Sequence, residues 1–410
     1  MIVRKIHADE YKRVAEFCAM AFQWSFDDKG LSAKETLANM QKNPESRQDL
    51  YWDWQWAAFA DDDRTMLSTF TVIPYRARFD GHHVGMAGIG GVATLPQYRR
   101  QGGIRACFEK ALPDMYEQGM LLSYLYPFST CFYRKFGYEL GCERDLYKLR
   151  LEGMPKFSAA GSFHLLEPGA DLLSDIQQVY DVFSGSYNLM TIDEDIEYDW
   201  VAKANPFRDK AYTYVYRSPD GTPKGVLTYK PIVDQGDRTL DCSERFWFSD
   251  REGFEALMHL LLRLKADHSH VLINLPTDAE LGQIVPEWSF GNVRRSRHAH
   301  GMVRVVNAAE ILKRARMRGT GELTIELHDE QIVQNNGCFH VCFKEGAVIA
   351  VERTSTAADI RLSIQDFSRL ICGRYDVNDL GWLPDVQLLC EPEKAAKVFY
   401  RKPMFINRPF

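Results

Sequence analysis

The stretch that most restricts how this chain can fold is Gly88 to Arg105, Gly-Ile-Gly-Gly-Val-Ala-Thr-Leu-Pro-Gln-Tyr-Arg-Arg-Gln-Gly-Gly-Ile-Arg. It reads as a strand, a turn at Leu95-Pro96, and a basic glycine-rich loop that opens a helix. Ile104, Cys107, Phe108, Leu112 and Met115 then fall at helical spacing on one face. Gly102 and Gly103 remove side chains where the first N–H groups of a helix have no intrahelical partner. Those N–H groups and the helix dipole favour an anion. Arg99 and Arg100 add two positive charges that suit bidentate contact with phosphate. The pattern predicts a phosphate cradle, suited to a pyrophosphate. Two common versions are excluded. No Gly-Lys-Ser/Thr follows, and no Gly-x-Gly-x-x-Gly lies between strand and helix. On the glycines alone, an ordinary strand-to-helix turn with surface arginines competes with this reading.

The order Arg99-Arg100-Gln101-Gly102-Gly103-Ile104 resembles motif A of the GNAT superfamily of N-acetyltransferases, Gln/Arg-x-x-Gly-x-Gly/Ala. Arg99 fills its first position and Gly102 its fourth, while Ile104 departs at the sixth, where a small residue is usual. The resemblance implies that the loop amides hold the pyrophosphate of coenzyme A. It also implies that the strand at Val92, Ala93 and Thr94 pairs with the pantetheine arm through its backbone. Further along, Phe132-Tyr133-Arg134-Lys135-Phe136-Gly137-Tyr138-Glu139 looks like the superfamily's Phe-Tyr-x-Lys/Arg-x-Gly-Phe/Tyr signature, in the expected order. Phe128 and Ser129, just before it, are assigned to the cofactor site by the same resemblance. Tyr133 then stands beside the coenzyme sulfur and donates a proton to the departing thiolate. A phenol of pKa about 10 suits that role and is a poor base at neutral pH. The alternative for Tyr133 is a packed aromatic in a tyrosine-rich segment.

At 410 residues the chain is too long for one ordinary core, so two or three domains are expected. A hydrophobic content of 45% and a charged content of 26% describe a soluble globular protein. The formal net charge of −6 argues against a general nucleic-acid binder and is compatible with a cationic substrate. No apolar run reaches the roughly 18 residues of a membrane span, and Met1-Ile2-Val3-Arg4-Lys5 lacks the apolar core of a signal peptide. Nine cysteines without a Cys-x-x-Cys pair suggest free thiols in a reducing compartment, hence a cytoplasmic location. Cys338 and Cys342 share a strand face, but a metal site needs two more ligands that the sequence does not reveal, so no metal is expected. His268 with His270, and His298 with His300, are read as surface or buried neutral histidines.

Before the loop, Ile2 to Ile6 reads as a strand and Asp9 to Ala21 as an amphipathic helix. Ser32-Ala33-Lys34-Glu35 reads as a capping box for a second helix. Met66 to Phe79 is strand-like with a break at Pro74. After the loop helix, Leu121 to Tyr126 is a buried-strand candidate, and Asp145 to Leu151 is the exit strand of a first domain. The middle of the chain repeats the order of helix, hairpins, helix and strand. Its second helix, however, follows Ser249-Asp250-Arg251-Glu252-Gly253, an acidic loop badly suited to pyrophosphate. This predicts a second GNAT-like unit without a cofactor site. From Gly301 on, antiparallel strands with a helix at each end resemble the sterol-carrier-protein fold.

Taken together, the three pieces resemble the Eis (enhanced intracellular survival) family of N-acetyltransferases over the whole chain. The expected fold is α+β: a catalytic GNAT domain over 1–150, a degenerate one over 151–300, and a sterol-carrier-protein-like domain over 301–410. The resemblance implies acetyl-CoA as donor, a homohexamer, and a terminal carboxylate, here Phe410, that acts as base toward a small-molecule amine. Arg408 and Pro409 precede it where aminoglycoside-accepting members often carry acids. Trp24, Phe26, Asp27 and Trp200 are the residues expected to line the amine site, with Asp28, Glu194, Asp195 and Glu197 as further sources of charge. Two alternatives stay open: a lipid or small-molecule binding protein with a relic GNAT site, and an acetyltransferase that acts on protein or peptide amines.

Overall fold

The computed structural model of the protein describes residues 1–23, 25, 54–193, 198–285, 288–289, 291–406 and 408. The expected second helix after Ser32, together with Trp24, Phe26, Asp27, Asp28, Glu194, Asp195, Glu197 and Phe410, lies outside the described residues. The chain gathers into two compact units, Met1–Gly141 with Gly301–Arg401, and Cys142–His300 with Lys402–Arg408.

The first unit opens with β1 (Ile2–Lys5) and α1 (Tyr11–Phe22). Then come β2 (Gln55–Phe59), β3 (Met66–Phe79), β4 (His82–Thr94), α2 (Gly103–Glu117), β5 (Leu122–Leu125), α3 (Thr130–Arg134) and β6 (Glu139–Leu140). Apolar spacing decides which helix faces are inward. Val14 and Phe17 of α1 pack with Ile6 and Phe59. Ile104, Cys107, Phe108, Leu112 and Met115 of α2, the stripe expected from the sequence, are all buried. β3 runs without a break through Pro74, which stays in register with Ala87.

The chain leaves this unit at Gly141 and re-enters it at Gly301, and one side chain explains both glycines. Tyr124 is fully buried, and a Cβ on Gly141 or Gly301 would fall 2.8 or 2.3 Å from its ring. Gly301 also has φ +87°, a conformation that only glycine adopts readily. Gly141 N–H donates to Gly301 O at 3.0 Å and locks the crossing. β15 (Met302–Val305) therefore enters between β5 and β6, pairing antiparallel with both. The sheet order is β1-β2-β3-β4-β5-β15-β6.

The strand expected to close the first domain lies in the second unit as β7 (Glu143–Arg150). With it come β8 (Ser162–Leu165), α4 (Leu173–Gly185), β9 (Thr191–Ile192), α5 (Asp199–Lys203) and α6 (Pro206–Asp209). β10 (Tyr212–Arg217), β11 (Pro223–Asp234), β12 (Asp237–Phe248), α7 (Arg251–Leu262), β13 (His270–Pro276) and β14 (Val293–Ala299) follow. Its sheet runs β14-β7-β13-β12-β11-β10-β8.

The remainder of the first unit is α8 (Ala308–Arg314), β16 (Gly321–His328), β17 (Gly337–Lys344), β18 (Ala347–Thr354), β19 (Ile360–Ser363), α9 (Ile364–Ile371), β20 (Gln387–Leu388) and α10 (Pro392–Ala396). It builds a five-stranded sheet in the order β18-β17-β16-β19-β20. Three sheets with flanking helices give the α+β class expected. All nine cysteines are free thiols. Among the described residues no helix is long and apolar enough to cross a membrane.

Candidate functional site

The site is built where two strands part. β4 and β5 run parallel in register from Met86–Leu122 to Ile89–Leu125, and there the pairing ends. β4 continues to Thr94 while β5 stops, so Gly90 to Thr94 lose their β5 partner. A register shift against β3 falls at this point, between Thr69 and Thr71, and Gly91 opposite it has φ +59°. Bulges bend a strand and re-aim it. Val92, Ala93 and Thr94, assigned from the sequence to the cofactor, lie on this bent run, which keeps β3 on one side and has lost β5 on the other.

Pro96–Tyr98 form a single 3-10 turn, and the chain then enters the basic loop. Arg100 has φ +65° and Gly102 φ +82°. These two left-handed residues turn the backbone so that α2 begins at Gly103. The first helical bond is Ala106 N–H to Gly102 O at 2.9 Å. Among the described residues, the N–H groups of Gln101, Gly102, Gly103, Ile104 and Arg105 donate to no protein acceptor. Arg99, Arg100, Gln101 and Arg105 are exposed around them. Arg99 Nε lies 3.5 Å from Thr94 O, at the end of β4. Arg105, which the sequence reading did not single out, adds a third cation. Its signal was its place on the solvent side of the first turn.

The two loop glycines have different reasons. Gly102 faces open space and is required by its backbone angle. Gly103 is required by packing: a Cβ there would lie 2.4 Å from Ser68 Oγ and 2.9 Å from Ser68 Cβ. The helix start is thus pressed onto β3, where Ser68 Oγ is bonded to Thr94 Oγ1 at 2.8 Å. Gly103→Ala is expected to force β3 and α2 apart at a cost of about 1–3 kcal/mol. A thermal melt that matches the wild type would refute this.

Tyr133 is 2% exposed and sits on α3, whose N-terminus is capped by Ser129 Oγ accepting from Phe132 N–H at 3.4 Å. Its ring makes edge contacts with Phe108 of α2, Phe128, Phe132 and Tyr138, at centroid distances of 6.1, 5.3, 5.2 and 6.3 Å. Ile104, Phe108 and Tyr133 belong to one core cluster and the half-buried Val92 packs against it, so the bent strand, the loop helix and the tyrosine share a wall. Burial, with a smaller effect from Tyr138, pushes the Tyr133 phenol well above its ordinary pKa, so it is protonated at neutral pH. Among the described residues no hydrogen bond ties its hydroxyl down. Tyr138 has a different fate. Its hydroxyl is fixed to Ser123 Oγ at 2.7 Å, and Ser123 Oγ donates to Ala87 O at 2.8 Å. Burial pushes its pKa up to about 12. Phe128, by contrast, is 71% exposed.

The corresponding helix of the second unit has no cradle. Asp250 Oδ1 accepts from Gly253 N–H at 2.9 Å, and Lys224 Nζ is 3.0 Å from Asp250, so the start of α7 is occupied by its own carboxylate. Trp200 lies in this unit, on α5, with the Arg245 guanidinium 3.8 Å above its ring. The last described residues belong here as well. Asn188 N–H donates to Pro403 O, Phe405 N–H donates to Asn188 O, and the Phe405 side chain is buried against Phe183 and Tyr187. Arg408 Nη1 donates to Asp193 Oδ2 at 2.8 Å.

Comparison with known proteins agrees with this construction. Residues 2–141 match the acetyltransferase (GNAT) domain, residues 195–305 match a second acetyltransferase (GNAT) domain, and residues 308–406 match the sterol carrier protein domain. No curated protein matches the chain. Among solved structures, a conserved protein of Enterococcus faecalis V583 described as "Probable N-Acyltransferase" superposes with a TM-score of 0.84 at 21% identity, covering 100% of this chain and 99% of its own. A GCN5-related N-acetyltransferase from Anabaena variabilis gives 0.83 at 17% identity, and Eis1 from Mycobacterium abscessus gives 0.79 at 18%, each covering 100% of both chains. Two GNAT acetyltransferase domains, followed by a sterol carrier protein domain on the fold also found in Eis1, make the chain a GNAT acyltransferase.

Proposed function

We propose that the protein transfers an acetyl group from acetyl-CoA to a primary amine by direct attack, with Tyr133 protonating the departing thiolate and the Phe410 carboxylate receiving the amine proton. One observation carries this reading: β4 parts from β5 beside a loop of uncommitted N–H groups, and a buried, protonated tyrosine shares the wall behind them. Acetyl-CoA supplies an activated thioester. The N–H groups from Gln101 to Ile104, with Arg99 and Arg100, hold its pyrophosphate. Phe128 and Ser129 close the same side. The pantetheine arm takes the place of the missing β5 partner along the backbone of Val92 to Thr94, which also polarises the acyl carbonyl.

The amine must lose a proton before it attacks, and a carboxylate held close accepts it directly or through water. Pro403, Phe405 and Arg408, shortly before Phe410 in the chain, are held by hydrogen bonds to Asn188 and Asp193. Arg408 is matched to Asp193, so its charge does not stand alone against a cationic substrate. Trp24, Phe26, Asp27 and Trp200 are retained as the lining of the amine site. A homohexamer in the cytoplasm completes the proposal on the strength of the Eis resemblance.

Calorimetric titration with acetyl-CoA, followed by a free-thiol assay over a panel of amines, tests the whole reading. Binding with thiol release is expected, and the best amine names the substrate class. Binding without release on any small amine would move the acceptor to a protein or peptide amine. Absence of binding would overturn the reading of Arg99 to Gly103. For the base, adding one residue after Phe410 is expected to lower kcat as much as deleting Phe410 does, by about 10²-fold. An extended protein with wild-type kcat would sink the carboxylate's role.

A further inference from the structure

The sequence places Cys338 and Cys342 on one strand face and offers no further metal ligands nearby. The register of the third sheet supplies them. Along β17, Phe339, Val341 and Phe343 are buried on the core side. Cys338, His340 and Cys342 therefore occupy the outer face, by the period of two of a strand. β16 pairs Glu322 with Cys342 and Thr324 with His340 across this face. Glu322, His340 and Cys342 each bring one donor atom, and the three atoms lie within 4.8 Å of one another.

The distances have the size of a coordination shell. Cys342 Sγ is 3.2 Å from His340 Nε2, and Nε2 is 3.6 Å from Glu322 Oε2. With zinc–ligand bonds of about 2.0–2.3 Å, a tetrahedral ion holds neighbouring donors about 3.3–3.6 Å apart. The imidazole is also oriented for the task. His340 Nδ1 lies 3.1 Å from Oγ1 of the buried Thr324. In the tautomer where Nδ1–H donates to Thr324, the Nε2 lone pair faces the thiol and the carboxylate. A second partner of this kind is the usual support of a metal-binding histidine.

A nucleophilic relay fits the geometry less well. A relay needs the acid on one ring nitrogen and the nucleophile on the other. Here Cys342 and Glu322 both address Nε2, and the opposite nitrogen meets a hydroxyl. Charge agrees with a cation: a thiolate and a carboxylate neutralise a divalent ion. Glu352, in register with His340 on β18, brings a second carboxylate strand against strand.

We infer that Glu322, His340 and Cys342 on the outer face of the third sheet form a binding site for a divalent cation of the zinc type. Binding displaces the Cys342 thiol proton to solvent and forms one metal–sulfur bond. The fourth position is left to water or to Glu352.

The test is titration of the reduced full-length protein with cobalt(II) alone, read by absorption, followed by displacement with zinc. One equivalent is expected to give a thiolate-to-cobalt charge-transfer band and strong tetrahedral d–d bands, both lost on adding zinc. Cys342→Ser is expected to abolish the charge-transfer band, and His340→Ala to weaken binding more than tenfold. Thr324→Val is expected to weaken it about tenfold by freeing the ring, and Cys338→Ser to leave it unchanged. A second readout uses the wild type only: zinc is expected to protect Cys342, but not the exposed Cys131, from iodoacetamide in peptide mapping. A missing thiolate band, a band that survives in Cys342→Ser, or unprotected Cys342 would each overturn the inference.

Discussion

Tyr133→Phe is expected to lower kcat by about 10²- to 10⁴-fold, the range for a lost general acid, with acetyl-CoA affinity within about twofold of wild type. The argument starts from packing. The Tyr133 ring is held by edge contacts with Phe108, Phe128, Phe132 and Tyr138, and a phenylalanine keeps all of them. No hydrogen bond to its hydroxyl is seen among the described residues, so removing the oxygen orphans no partner and costs little stability. What disappears is the proton. Burial raises the phenol's pKa, so the wild-type group stays protonated across the working range. The kcat profile should therefore show no alkaline fall from this group below about pH 10. Tyr138→Phe is the contrast: it breaks the bond to Ser123 and should lower stability more than turnover. Wild-type kcat in Tyr133→Phe would leave the tyrosine a packed aromatic.

Much of this site was legible because its parts are local in sequence. The loop, the stripe on α2 and the Tyr133 segment each depend on residues within a few turns of one another. Periodicity and glycine placement report such neighbourhoods directly. What escaped was set by partners distant in sequence. Nothing around Glu143–Arg150 says that it leaves the first sheet, because any strand of that composition could close it. The decision lies in β15 and in two glycines pressed against Tyr124. The glycine of the Phe-Gly-Tyr segment is a similar case. Its motif was readable, but its reason was not: a Cβ on Gly137 would lie 1.6 Å from Nη1 of Arg304. The cluster on β16 and β17 was missed likewise, since Glu322 joins Cys342 only through strand register.

Asp329→Asn is expected to destabilise the first unit by about 3–5 kcal/mol, the cost of leaving a buried charge without its partner. Arg304 projects from β15 and is 0% exposed at its side chain, and Asp329 is 1% exposed. Arg304 Nη2 donates to both carboxylate oxygens, at 2.9 and 2.8 Å. Asp329 also accepts from Gln331 N–H, Ile332 N–H and Asn335 Nδ2. Arg304 has no such surplus, since among the described residues its Nε and Nη1 find no hydrogen-bond partner. Among the described residues its charge is therefore paired with Asp329 alone, which is why the loss should be large. Burial works to raise the Asp329 pKa, but the Arg304 charge and the hydrogen bonds outweigh it and hold the carboxyl below its ordinary value. A depressed folded-state pKa gives stability that is present above the unfolded value and is lost as pH falls. The gap between wild type and Asp329→Asn should thus be full at neutral pH and shrink below about pH 4. Arg304→Met combined with Asp329→Asn should be milder than Asp329→Asn alone, because no buried charge is left unmatched. Denaturant unfolding at neutral and acidic pH reads both effects. A neutral-pH loss under about 0.5 kcal/mol, or a gap that widens in acid, would show that the pair does not hold β15 in the first sheet.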